Sequence, residues 1–326
     1  MAVLWGANFV AIDLGLHANG TEVPPSLFVA MRFVLVVFPW IFFIRKPDVN
    51  WRAILGVGLF MSAGQFGLLY LAMALGMPAG LASLVLQAQV LLTVLLAAGI
   101  LGERPSGRQF AGVVLGVAGL AVVAVGRSMV APVLPLLIVL AAALSWAAGN
   151  IVARQAKASS GLGLGLVVWS GAVVPLPLIG LSLLIDGPAA VGATLAGLEL
   201  VTILSAIYTA VLGSLVGYGI WNWLLGIYPS SAVVPFTLLV PVVGMATAWL
   251  VLGEVPSAAE VAGGLLLLAG VAIAVLRPGR QGATPGQRRW HAQRRDVAFA
   301  GDLGDLGDGR AAGARTAPDL DAGTRP

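Results

Sequence analysis

The chain has 326 residues, 59% of them hydrophobic and only 10% charged, with a mean hydropathy of +0.97. That balance excludes a soluble globular domain, and the lack of cysteine excludes disulfides, thiolate metal sites and a cysteine nucleophile. The net charge of +4 does not point to a nucleic-acid partner: residues 1–276 carry nine Lys/Arg against eight Asp/Glu, and the other nine Arg and six Asp lie in the last 50 residues.

Ten apolar segments are expected, at about 2–17, 26–44, 53–75, 79–101, 109–126, 133–153, 161–185, 200–226, 231–252 and 259–276. A stretch of about 20 apolar residues crosses a hydrocarbon core of roughly 30 Å. The runs are continuous rather than alternating, so the spans are helices, which satisfy their own backbone hydrogen bonds in lipid, and not strands of a barrel. The connections are short and rich in Pro and Gly, as in RKPDVN, GMPAG and VPSA. The first segment is short for a span, roughly 24 Å at 1.5 Å per residue, and Met1 stands directly on it. It lacks the basic flank and cleavage site of a signal peptide, and the expectation is that helix 1 begins upstream. Glycines at Gly112 and Gly116, and at Gly213 and Gly217, have the four-residue spacing that lets membrane helices approach closely.

Residues 277–326 change to Gly, Ala, Pro, Arg and Asp with no apolar periodicity, a composition expected to be disordered. GDLGDLGDG within it is read as low complexity rather than as a calcium-binding repeat. Two histidines, His17 and His291, are too few for a histidine-rich metal site, and no cofactor is implied.

LGERPS at 101–106 returns as LGEVPS at 252–257, and 77–126 aligns with 228–277 at a constant offset of 151 without a gap. Between 101–121 and 252–272, eleven of 21 positions are identical, among them Gly112/Gly263 and Gly119/Gly270. A weaker echo joins LWGANFV at 4–10 with SWAAGNIV at 145–152. The chain therefore divides into a first five-helix repeat (1–127), a second (128–276) and the tail (277–326). Five crossings are odd, so the second repeat starts from the opposite face and is inverted. With the N-terminus in the cytoplasm, the inner loops carry Arg45, Lys46, Arg52, Arg104, Arg108, Arg154 and Lys157 and the outer loops only Arg127. This asymmetry places both termini, and the Arg-rich tail, inside.

Each hexapeptide has a structural reading. Gly102 and Gly253 suit the left-handed end of a helix, and Ser106-x-x-Gln109 and Ser257-x-x-Glu260 have capping-box spacing. Glu103 and Glu254 as proton carriers are the less favoured reading, because they sit at opposite membrane surfaces. Polar groups inside spans carry more functional weight. Arg32 is either a snorkelling cation or a contact for a substrate carboxylate. Asp13 lies near the outer end of helix 1 and could pair with Arg32 if their depths match. Gln65, Gln87 and Gln89 add hydrogen-bonding groups; two residues apart on a helix, Gln87 and Gln89 should point in different directions. Asn8, Asn150 and Asn222 read as interhelical hydrogen-bond partners ahead of substrate ligands. Tyr218, Trp221 and Trp223 read as an interfacial belt ahead of a cavity wall. No Walker loop, His-Glu-x-x-His helix or Gly-x-Ser-x-Gly elbow is present, which argues against an ATPase or a membrane-embedded enzyme.

WGANF, Arg32-Phe33, GMPAGLASLVLQAQ, GERPSGRQ with AGVVLGVAGL after it, SWAAGN, VGYGIW and PFTLLVPVVG occur in order over roughly 3–276. Together they resemble the EamA-type transporters of the drug/metabolite transporter superfamily, and within it the bacterial amino-acid-metabolite exporters of O-acetylserine and cysteine. The resemblance implies an all-α inner-membrane protein of ten transmembrane helices in two inverted five-helix repeats. It also implies a central cavity and export of small polar metabolites by alternating access, without ATP. Helices 3, 4, 8 and 9 would be cavity walls, which favours Gln65, Tyr70, Gln87, Gln89, Tyr208 and Tyr218 as pathway residues; Arg32 joins them on its charge inside helix 2 rather than on the resemblance. Related exporters often carry a lysine after the WGxNF motif; this chain has Asp13, a candidate for charge or proton coupling. Alternative readings are export of drugs or nucleotide sugars, a membrane enzyme, or a structural protein whose tail contacts anionic lipid.

Overall fold

The computed structural model describes residues 1–18, 22–128, 132–156, 163–228 and 230–276, with backbone alone at 230 and 231. The expected disordered tail lies outside the described residues. Apolar helices follow one another as α1 (Ala2–Leu16), α2 (Pro25–Phe42), α3 (Trp51–Ala74), α4 (Ala79–Leu101) and α5 (Gly107–Ser128), then α6 (Leu134–Gln155), α7 (Leu164–Ile185), α8 (Leu200–Ile227), α9 (Val234–Leu252) and α10 (Ala258–Val275). Among the described residues there is no strand. Nine of the helices, α2 to α10, are long and apolar enough to cross a membrane, and α1 is a shorter apolar helix of 15 residues. A further short helix, Pro188–Ala196, lies in the α7–α8 connection, where the sequence pattern gave only punctuators.

Local signals start and stop the helices as their chemistry requires. Pro25 occupies the first turn of α2, where its missing N–H costs nothing. Gly102 and Gly253 end α4 and α9 at φ 67° and 69°, a left-handed conformation that only glycine adopts without strain. At α10 the Ser257 N–H donates to Glu260 Oε2 at 2.8 Å, while the Glu260 N–H donates to Ser257 Oγ at 3.3 Å. Ser106 and Gln109 make the same reciprocal pair at α5, at 2.9 and 3.3 Å.

The inversion can be read directly from packing. A Cβ on Gly112 of α5 would lie 2.5 Å from the carbonyl oxygen of Gly270 on α10, and a Cβ on Gly119 would lie 2.5 Å from that of Gly263. Position 112 is equivalent to 263, and 119 to 270, so each contact is the other with the repeats exchanged. That is the isologous pattern of a twofold axis, here between two copies within one chain. As the first position rises from 112 to 119 its partner falls from 270 to 263, so the equivalent helices run antiparallel. Small residues permit this approach, and in lipid close van der Waals contact is what drives helix association. The same exchange governs the rest of the bundle: α1 packs on α8 and α9, and α6 packs on α3 and α4.

Regular helix is interrupted at matching places. Gly58–Gly64 of α3 and Tyr208–Val216 of α8 are π-helical, and the offset of 151 superimposes them. In α4 the helix breaks at Leu86 and Gln87, and the equivalent stretch of α9, Val234–Leu238, is a 3-10 helix. Such departures from α-helical hydrogen bonding are frequent at functional sites.

Candidate functional site: a central cavity

The interruptions surround a cavity of about 430 Å³, lined from α1, α2, α3, α4, α6, α8, α9 and α10. That volume suits a small metabolite. The expected walls α3, α4, α8 and α9 contribute, joined by helices the resemblance did not single out.

Arg32, in the middle of α2, lines the cavity at 2% exposure and is the one charged side chain among the described residues lining it. Its guanidinium donates to Tyr70 Oη at 3.1 Å and to Ser214 Oγ at 3.0 Å, and lies over the Phe66 ring at 3.9 Å from the centroid. Ser214 Oγ in turn donates to the Thr209 carbonyl, five residues back, at 3.1 Å. The π-helical stretch supplies a carbonyl at that separation. No carboxylate neutralises Arg32 among its recorded partners, and Nε has no hydrogen-bond partner. An uncompensated buried cation costs several kcal/mol in a low-dielectric interior. An anionic ligand would relieve that cost.

Two further buried groups face the same space. Gln65, 1% exposed, follows the π-helical segment of α3, and its Nε2 is unpaired. Asn8, 7% exposed, leaves Oδ1 unpaired above Gly213, which precedes Ser214. Among the described residues lining the cavity, Arg32 Nε, Gln65 Nε2 and Asn8 Oδ1 are buried without a recorded hydrogen-bond partner. Toward the N-terminal face the wall is aromatic: Trp5 lies 5.2 Å from Tyr218 and 5.8 Å from Trp221 between ring centroids, and its Nε1 donates to the Gly213 carbonyl at 2.9 Å.

Gln87 and Gln89 both line the cavity, although two positions apart on an unbroken helix they would diverge. The break at Leu86 and Gln87 resets the direction of the chain between them. Gln87 Nε2 donates to the Thr237 carbonyl at 3.1 Å, across to α9. Asn150 donates to Gln89 Oε1 at 3.3 Å and to Thr93 Oγ1 at 3.2 Å, so it joins α6 to α4 and also lines the cavity.

Other candidates sit elsewhere. Tyr70 is fully buried behind Arg32, which it orients. Tyr208 donates to the Leu4 carbonyl at 3.2 Å and ties α8 to α1 away from the lining. Asp13 faces His17 Nδ1 at 3.3 Å near the end of α1, and Arg32 finds its partners elsewhere. Both amide atoms of Asn222 are buried without a recorded partner, outside the cavity lining. Trp221 lines the cavity, whereas Trp223 is exposed. Sequence reasoning passed over Trp5, Ser83, Trp146, Ser214 and Thr237. The two tryptophans were visible as partners in the WGANF/SWAAGN echo, but nothing in spacing marked the serines and the threonine.

A largely apolar cavity set with a few buried polar groups, at the centre of two antiparallel five-helix repeats, is the arrangement of a multi-pass membrane carrier. The EamA-like transporter family matches residues 1–125 and 133–276, and the chain belongs to that family. It is 42% identical over 280 residues to a probable amino-acid metabolite efflux pump of Escherichia coli, covering 84% of this chain and 92% of that protein. A protein of the same description from Salmonella typhimurium is 43% identical over the same shares. A probable terminal-alkyne amino-acid exporter of Streptantibioticus cattleyicolor is 30% identical over 88% of this chain and 95% of its own. A crystal structure of a protein 21% identical matches with TM-score 0.53, covering 84% of this chain and 94% of the other, which supports the fold alone.

Proposed function

We propose that this protein is a secondary exporter of amino acids or amino-acid metabolites of the cysteine and O-acetylserine kind, working by alternating access across the bacterial inner membrane, and not an enzyme. The observation that carries the reading is the set of unpaired buried groups. Arg32, Gln65 and Asn8 line the cavity with atoms left unpaired, and small side-chain adjustments would bring the first two onto an α-carboxylate and Asn8 Oδ1 onto an α-ammonium. Unpaired polar groups in a buried site favour the ligand that satisfies them and reject one that leaves them bare. The names of the relatives support the same substrate class.

In this reading Tyr70 and Ser214 position Arg32; Gln87, Gln89 and Asn150 form the polar wall; and Trp5, Tyr218 and Trp221 accommodate the substrate side chain. Tyr208 holds α8 to α1, Asn222 contributes interhelical polarity, and Asp13 with His17 supplies charge at the far end of the pathway. The N-terminal face, bearing Arg45, Lys46, Arg52, Arg104 and Arg108, is cytoplasmic. In this reading the Arg-rich tail from 277 onward, outside the described residues, is a cytoplasmic segment suited to anionic lipid.

The test is to overexpress the chain in bacterial cells and measure extracellular amino acids, cysteine and O-acetylserine included. Accumulation that disappears with Arg32→Gln, in a protein still inserted in the membrane, is the expected result. No change in any amino acid or its metabolites would overturn the reading.

A further inference from the structure

The two copies of the LGE hexapeptide are in different states. Glu254, just past the end of α9, reaches across to the start of α4 in the other repeat. Its Oε1 accepts from the Ala79 N–H at 2.8 Å and its Oε2 from the Gly80 N–H at 2.9 Å. The repeat-equivalent Glu103, past the end of α4 on the N-terminal face, is instead ion-paired with Arg154 of α6 and is half exposed.

The helices that carry these residues are splayed in the same sense. On the face opposite the N-terminus, 79–85 of α4 packs along 239–252 of α9. The mirror-related stretches, 88–101 of α4 and 230–236 at the entry to α9, show no comparable packing among the described residues. Equivalent positions report the difference. Met77 is 1% exposed where Tyr228 is 52%, and Val85 is 0% exposed where Phe236 is 59%. The cavity extends the same way, to Trp5, Trp221, Val234 and Val275 near the N-terminal face. The carrier is shut on the Glu254 side and parted on the Glu103 side.

We propose that Glu254 and Glu103 are reciprocal gate latches of the transport cycle. With Glu254 on the Ala79 and Gly80 amides, the gate opposite the N-terminus is closed and Glu103 is parked on Arg154. When the carrier turns over, Glu254 releases, and Glu103 leaves Arg154 for the backbone amides of Ser230 and Ser231, the equivalents of Ala79 and Gly80. Ser230 and Ser231 open the short helix Ser230–Val233 that leads into α9, and a carboxylate accepting from N–H groups at a helix start makes charge-assisted bonds. Because both latches use the same chemistry, making one offsets breaking the other, and the Glu103–Arg154 ion pair, which has no counterpart at Val3, tips the balance toward the state described here. The device goes beyond the substrate assignment and does not depend on it.

The chain has no cysteine, so single cysteines report cleanly on each gate. The test places Leu81→Cys at the start of α4 or Phe236→Cys near the start of α9, and labels oriented membrane vesicles with a membrane-impermeant maleimide from either face. With both glutamates intact, Phe236→Cys should react readily from the N-terminal face and Leu81→Cys slowly from the opposite face. Glu254→Gln should raise Leu81→Cys labelling about tenfold and lower that of Phe236→Cys several-fold, the shift expected when one state loses charge-assisted bonds. Arg154→Gln, which frees Glu103 without touching the α4 start, should shift both probes in the same direction. Unchanged labelling in Glu254→Gln would leave Glu254 a static helix cap and overturn the proposal. A shift in Glu254→Gln but none in Arg154→Gln would overturn the reciprocity. Because no substrate is used, failure here is distinct from failure of the export assay.

Discussion

Arg32 of α2 and Ser214 of α8 meet at 3.0 Å, although 182 positions separate them in the chain. The contact joins the two repeats at the cavity, and it relies on the π-helical stretch that gives Ser214 the Thr209 carbonyl as its own acceptor. Hydrogen bonds to charged groups contribute about 1.5–3 kcal/mol. Arg32→Gln, which removes charge and fork together, is expected to lower export at limiting substrate about 100-fold. Ser214→Ala should lower it about tenfold, by loosening the guanidinium without removing it. Initial efflux rates from preloaded cells, normalised to inserted protein, measure both.

Gly213 tests Asn8 without altering Asn8 itself. A methyl group at Gly213 would stand 2.5 Å from Asn8 Oδ1. Gly213→Ala should therefore turn the free acceptor aside and weaken substrate binding about tenfold, seen as a raised KM with near-normal insertion. Gly219→Ala, whose added carbon meets Leu164 at an ordinary 3.6 Å, is the control and should transport normally.

The glycine contact between α5 and α10 leaves no room for a side chain. Gly112→Ala should cost about 1–3 kcal/mol from overpacking and lower the thermal unfolding midpoint in detergent. Gly99→Ala, with nothing within 4 Å of the added carbon, should match or slightly exceed the parent in stability.

The capping box at α10 is a structural device and should behave as one. Ser257→Ala removes the acceptor for the Glu260 N–H and is expected to cost about 1 kcal/mol of stability. Transport per folded molecule should not change. A loss of specific transport at full stability would show that this turn does more than hold a helix end.

The ten apolar segments, the repeat and the helix ends were legible in the chain because each depends on local chemistry. Continuous hydropathy marks a span, Gly102 and Gly253 mark helix ends, and Ser257 three residues before Glu260 marks a cap. Even the inversion was legible, since LGERPS and LGEVPS share a register and five crossings are odd. The polar candidates were legible only as residues. Nothing local distinguishes Gln65, which faces the cavity, from Tyr208, which ties α8 to α1. The expectation that Gln87 and Gln89 diverge assumed an unbroken helix, and the turn at Leu86 and Gln87 removed that assumption.

Residence in lipid and the duplication of a five-helix unit are written in the chain, because hydropathy, turn residues and repetition are properties of neighbouring residues. Which buried groups are left without partners, and which of the two LGE turns reaches across to the other repeat, follow from the packing of the helices. Arg32, Gln65 and Asn8 come together from three helices, and Glu254 reaches amides 174 and 175 positions away. Such relations are set by how helices cross and where they break, and a linear pattern carries no record of either.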